Sequence, residues 1–130
     1  MYSDKNLIYI FTILEAIEKI NLYTKVFEDD ESFYYANNQM NFNAVVSLLI
    51  AIGEENKKIE NKIKSDIDFT WNDISKMRDK ISHNYRGINP LQEYKEVLIS
   101  VLPKIDDFNE ALNDALKSDF YLNLGYLKKN

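Results

Sequence analysis

The sequence predicts an all-α protein, an up-and-down bundle of four to five helices joined by short connections. Three observations carry that prediction. Apolar residues recur at steps of three and four over long stretches, which is the spacing of one face of an α-helix. Only three Gly and two Pro occur in 130 residues, so turn material is scarce and the elements must be few and long. No segment alternates apolar and polar residues between turn signals as a half-buried strand does, and there is no internal repeat.

The first helix follows from Ser3, placed as an N-cap, and from Leu7, Ile10, Phe11, Ile13, Leu14, Ile17 and Ile20, which keep helical spacing on the way to Phe27. Asp4, Glu15, Glu18 and Lys19 keep largely to the other side. The adjacent carboxylates Glu28, Asp29, Asp30 and Glu31 end it, because they repel one another and the negative end of the helix dipole. They read as a solvated acidic loop rather than a cation site. Phe33, Tyr34 and Tyr35 are too aromatic for a free loop, and either pack on the bundle or open the next helix.

The second helix runs from Phe42 through Val45, Val46, Leu49 and Ile52 to Ile59. Gly53 lies inside it, where glycine costs about 1 kcal/mol relative to alanine, so its presence points to the close approach of another helix. A polar link over 61–68 follows. Thr70 then caps a third helix that begins at Trp71 and carries Ile74, Met77 and Ile81 on its apolar side. Asn89 and Pro90 form the next start signal, and from Tyr94 through Leu98, Val101, Ile105, Phe108 and Leu112 to Ala115 the steps of four and three continue unbroken. Pro103 falls inside that pattern and should kink it, since its ring removes a hydrogen bond and clashes with the carbonyl four residues back. The surviving register favours one bent helix, with two helices as the alternative. Residues 118–130 form a partly ordered tail that either folds back through Phe120, Tyr121, Leu124 and Tyr126 or contacts a partner. The whole of 1–130 reads as one domain.

Composition narrows the function. With 45% hydrophobic and 28% charged residues, the chain is globular rather than disordered. It has no cysteine and one histidine, which excludes disulfides, thiolate metal sites and a multi-His metal site within one chain. Neither a metal nor a cofactor is expected. The first residues hold no basic segment or cleavage site, and no apolar run approaches the roughly 18–20 residues needed to cross a bilayer. The chain is therefore read as cytoplasmic, without membrane contact. A net charge of −5 argues against broad coating of nucleic acid, so any such contact must be local.

One stretch reverses that charge. Residues 76–86 hold both arginines, two lysines and the only histidine against one carboxylate, locally +3, which leaves −8 for the remainder. Imidazole can accept or return a proton near neutral pH, and guanidinium can clamp phosphate oxygens with two parallel hydrogen bonds. Together they suit phosphodiester chemistry without a metal. His83 would assist an RNA 2′-OH in attacking the adjacent phosphate while Arg78 steadies the growing charge, and DNA, lacking that hydroxyl, would resist. Asp79 is placed to orient the imidazole, and Asn84 to position phosphate or backbone.

Geometry sets a condition on this. Five residues separate Arg78 from His83, about 140° round an ideal helix, so the two side chains do not converge. Either the helix ends near His83 and turns it back, or a second copy completes the site across a two-fold axis. Without catalysis, the same residues would form a helix-end capping and salt-bridge cluster. Trp71 reads as core rather than as a base-stacking platform.

Ala51-Ile52-Gly53-Glu54, and the run from Trp71 to Tyr85 that contains Met77-Arg78-Asp79 and Ser82-His83-Asn84-Tyr85, resemble the HEPN superfamily, specifically the HepT-like toxins paired with a minimal nucleotidyltransferase antitoxin. The most specific element is an arginine, four residues, a histidine, any residue and a tyrosine, present as Arg78, His83 and Tyr85. The resemblance implies a HEPN-like homodimer whose two motif helices face each other to form a composite ribonuclease site. It also implies metal-independent RNA cleavage by Arg78 and His83, with Asp79 beside the arginine. Tyr85 would then accept AMP groups from the antitoxin. The alternative is a non-catalytic helical module that binds a nucleotidyltransferase.

Overall fold

The structure of the protein, a computed structural model, describes residues 2–84 and 100–129, with side chains at 83, 84 and 121–129 outside the description. The described elements are all helical: α1 (Asp4–Thr24), α2 (Asp30–Tyr35), α3 (Met40–Lys58), α4 (Asn61–Asp66), α5 (Trp71–Asn84) and α6 (Leu102–Lys129). Among the described residues there is no strand. The all-α class expected from the spacing of apolar residues is what the chain adopts. No described helix is long and apolar enough to cross a membrane.

Two hydrogen bonds at opposite ends show that α1 and α3 run antiparallel. Near the start of α3, Asn41 Nδ2 donates to the Tyr23 carbonyl at the end of α1, at 3.3 Å. Just past the end of α3, the Glu60 N–H donates to Asn6 Oδ1 in the first turn of α1, at 3.1 Å. Asn6 is only 2% exposed, and its Nδ2 reaches Ser3 Oγ at 2.8 Å while Ser3 caps the helix by accepting the Asn6 N–H. A buried amide with that many partners fixes a register instead of weakening the core.

Between these helices, Ile10, Ile13, Ile17 and Ile20 of α1 share one buried core with Val45, Leu49 and Ile52 of α3. Ile74, Met77 and Ile81 of α5 and Ile105, Phe108 and Leu112 of α6 complete it. Each set is the apolar face read from the sequence. Burial of such side chains contributes about 1.5–3 kcal/mol apiece, the term that organises the bundle.

The connections depart from expectation. The acidic run does not only end α1: the Asp29 carboxylate accepts the Ser32 N–H at 2.7 Å and so caps α2. That hydrogen bond, with others from the same turn, holds the Asp29 carboxyl below its ordinary range. Phe33 and Tyr34 are buried and meet Phe42 edge-on, at 6.2 and 5.0 Å between ring centroids. The aromatic run thus packs on the bundle as a helix of its own. The turn into α3 is left-handed at three successive non-glycine residues, Asn37, Asn38 and Gln39 (φ 51°, 58° and 70°). Such a turn is unfavourable for L-residues, least so for Asn, and the hydrogen bond from Asn37 Nδ2 to Asn41 Oδ1, 2.8 Å, supports it.

The polar link over 61–68 contains α4, which buries Ile63, and Ile67 follows it into the core. Phe69 stacks on Phe108 at 4.8 Å, and Trp71 meets the same ring edge-on at 5.4 Å. Trp71 Nε1 donates to the Lys64 carbonyl at 2.9 Å, so the indole docks α5 onto α4 and α6, as a core residue would. The expected start at Asn89 and Pro90 lies outside the described residues. Pro103 stands in the first turn of α6, directly after wide π-type turns at residues 100 and 101, where its missing N–H interrupts the least. α6 runs on to Lys129 in place of a folded-back tail. Asp119 within it is buried and accepts the Tyr2 N–H at 2.8 Å, tying the chain's start to this helix.

Phe108 is fully buried at the point where α4, α5 and α6 meet. Phe108→Ala is expected to lower the unfolding free energy by about 3–5 kcal/mol in urea titrations followed by Trp71 fluorescence. A loss below about 1 kcal/mol would mean that the aromatic cluster does not hold these helices together.

Candidate active site

The site begins with a glycine. Gly53 is buried in α3, and a Cβ built there would overlap Cβ and Cγ of Arg78 in α5, with Arg78 Cα at 3.6 Å. The mid-helix glycine therefore serves the close helix approach that its cost in α3 implied. Arg78 lies across it, half-buried, with 29% of its side chain exposed.

A cation in that position needs partners, because partial burial removes water from the guanidinium. Glu54, the residue after Gly53, supplies one through an ion pair between its Oε1 and Arg78 NH2. Asp79 supplies the other, accepting from Arg78 NH1 at 3.1 Å. The Asp79 hydrogen bond, aided by the Glu54 carboxylate, raises the Arg78 pKa above its already high ordinary value, so the guanidinium stays charged. Arg78 Nε is buried and has no acceptor among the described residues.

The two carboxylates are not equivalent. Asp79 is 67% exposed, and an ion pair that open to water is worth about 0–1 kcal/mol, so a phosphate oxygen can take its place at NH1. The Glu54 side chain is 46% exposed, but its Oε1 is buried against the guanidinium, which makes it the better shielded of the two partners. The arrangement is a fixed cation with one exchangeable edge, a geometry suited to gripping an anion.

Of the residues singled out from the sequence, the structure brings together Arg78 and Asp79 and adds Glu54. The Asp79 carboxylate pairs with Arg78. His83 and Asn84 are the last two residues of α5, with side chains outside the described residues, as is the whole of Tyr85. Because α5 is still helical at His83, one chain keeps Arg78 and His83 about 140° apart around the axis. The role of Glu54 was missed in the residue-by-residue reading. Its signal was a carboxylate next to a glycine that had no local reason to be in a helix. Among the described residues, no group of three or more His, Asp or Glu side chains converges to hold a metal ion.

Known proteins resemble this chain over most of its length. Residues 13–112 match the family described as Ribonuclease HepT-like. A relative from Thermococcus cleftensis, named as a probable ribonuclease HepT, is 35% identical over 68% of this chain and 79% of its own length. Two proteins of Methanocaldococcus jannaschii, named as candidate RNases, are 29% and 26% identical over 82% of this chain, covering 86% and 90% of theirs. No solved structure matches the chain.

Gly53→Ala tests the crossing. Alanine is the better helix former by about 1 kcal/mol, yet the new methyl must push Arg78 aside, and overpacking of this kind costs about 1–3 kcal/mol. The variant is expected to melt at a lower temperature than the parent; a rise in melting temperature would show that α3 and α5 are not held this closely.

Proposed function

The chain belongs to the Ribonuclease HepT-like family, and from that membership we propose that it is a metal-independent endoribonuclease with a composite site formed by two copies of the chain. The observation that carries this reading is the Arg78 guanidinium, secured by Glu54 over Gly53 with its other edge on an exposed carboxylate. In the proposed reaction, His83 takes the proton from a ribose 2′-OH as that oxygen attacks the adjacent phosphorus. The bond to the 5′-oxygen breaks, the leaving oxygen takes up a proton, and a cyclic phosphate end remains. Arg78, released from Asp79, stabilises the charge that grows on the non-bridging oxygens. Asn84, beside the histidine, positions the phosphate.

The separation of Arg78 from His83 around α5 supports a homodimer. In a two-fold arrangement of motif helices, His83 of one copy can serve the phosphate gripped by Arg78 of the other. Tyr85 is the proposed acceptor of AMP from a minimal nucleotidyltransferase antitoxin, which would neutralise a toxin by adding negative phosphate and bulk to a cationic cleft. The double pairing of Arg78 favours a second reading, a non-catalytic helical partner of the nucleotidyltransferase in which this arginine only joins α3 to α5.

Purified protein is expected to cleave RNA in excess chelator and leave cyclic phosphate ends, while Arg78→Ala and His83→Ala each lose at least about 100-fold in rate yet remain folded dimers. Cleavage that persists in both variants defeats the catalytic assignment, and no cleavage by the parent leaves the binding-module reading. For Tyr85, intact mass after incubation with the nucleotidyltransferase and ATP should rise by whole AMP groups. Addition that survives Tyr85→Phe would remove that role.

A further inference from the structure

A cleft of about 250 Å³ opens between α5 and the start of α6, away from the Arg78 pair. Lys76 and Lys80 of α5 and Lys104 of α6 stand around it with Asp73. Its floor is apolar, made by the buried side chains of Met77, Ile81 and Val101. Its described lining thus holds three lysines and one carboxylate on a chain of net −5.

Lys76 and Lys80 are four residues apart on one helix, a spacing at which like charges destabilise a helix. Lys104 brings a third positive charge from another element. None of the described ion pairs uses Lys76 or Lys104. A volume of about 250 Å³ is below the roughly 300–1,000 Å³ of pockets that enclose whole small ligands. The cleft therefore suits a small anionic group of a ligand whose remainder lies outside.

Position along α5 says which ligand. Lys76 and His83 are seven residues apart, two helical turns, which places them about 10.5 Å apart along the axis and about 20° apart around it. The lysines are thus on the His83 side of α5 and not on the Arg78 side. An anionic chain held by one group in the cleft can continue along α5 towards the helical position of His83. We infer that the cleft of Lys76, Lys80 and Lys104 is a subsite for a backbone phosphate of the RNA strand, remote from the bond that is cut. The inference rests on the ribonuclease reading for its ligand, but not on Arg78 or His83 being catalytic.

The test uses the full-length protein and a 2′-O-methyl RNA oligonucleotide, which lacks the attacking hydroxyl, so that binding is read without cleavage. Lys76→Ala/Lys104→Ala is expected to weaken binding at least about tenfold in fluorescence anisotropy. The slope of log affinity against log salt should become shallower by about 0.7 for the one phosphate lost. Lys117→Ala, an exposed lysine elsewhere on α6, should match the parent. Affinity and salt slope unchanged in the double variant, or no RNA binding by the parent, overturns the subsite. So does a change of oligomeric state in light scattering, which would make the cleft a subunit contact, or an effect confined to free ATP with none on the oligonucleotide. Lysine-dependent binding by a protein that never cuts unmodified RNA would leave the subsite standing and remove the catalytic reading instead.

Discussion

The crossing of α3 and α5 at Gly53 is the constraint on which the site depends. Two helices can approach this closely only where one lacks a side chain, and a helical glycine is a standing cost unless something occupies its place. Here the occupant is the aliphatic base of Arg78. Seating the stem against backbone fixes where the guanidinium can reach, and Glu54, on the same helix as the glycine, meets it there. Packing and electrostatics are therefore one arrangement. The stem of Arg78 holds its helix, and the helix holds its charge.

Around that crossing, the bundle is closed by a few buried polar groups. Asn6 joins the first turn of α1 to the chain leaving α3, and Asp119 holds the backbone at Tyr2. Each long-range bond falls where a helix begins or where the chain leaves one, and such places carry backbone groups without intrahelical partners. The left-handed turn at Asn37, Asn38 and Gln39 belongs to the same logic. It reverses the chain in little space so that Tyr34 and Phe33 can cover Phe42, and aromatic burial offsets a backbone conformation that is poor in isolation.

Charge is unevenly distributed along the chain. Within a chain of net −5, α5 carries Lys76, Arg78 and Lys80 in five consecutive positions. Within α5 the cations are divided by register. Arg78 turns towards α3 and is neutralised by carboxylates, whereas Lys76 and Lys80 surround a cleft shared with α6. On the proposed reading, this division gives one oriented grip and one diffuse attraction for a polyanion.

By itself the sequence determined the class of fold, the apolar faces of α1, α3, α5 and α6, the cap at Ser3 and the significance of Gly53. All of these follow from local periodicity and local backbone chemistry, which one chain segment expresses without reference to another. The order of Arg78, His83 and Tyr85 along the chain also carries its resemblance to the HEPN superfamily. Tertiary structure alone decided that Asp29 begins a helix as well as ending a loop, that a polar link hides Ile63, and that a turn without glycine runs left-handed. Glu54 is the plainest case. Twenty-four residues separate it from Arg78, and no periodicity connects two carriers of charge on different helices. Only the removal of a side chain at Gly53 brings them within reach, and that consequence exists once α3 and α5 are packed.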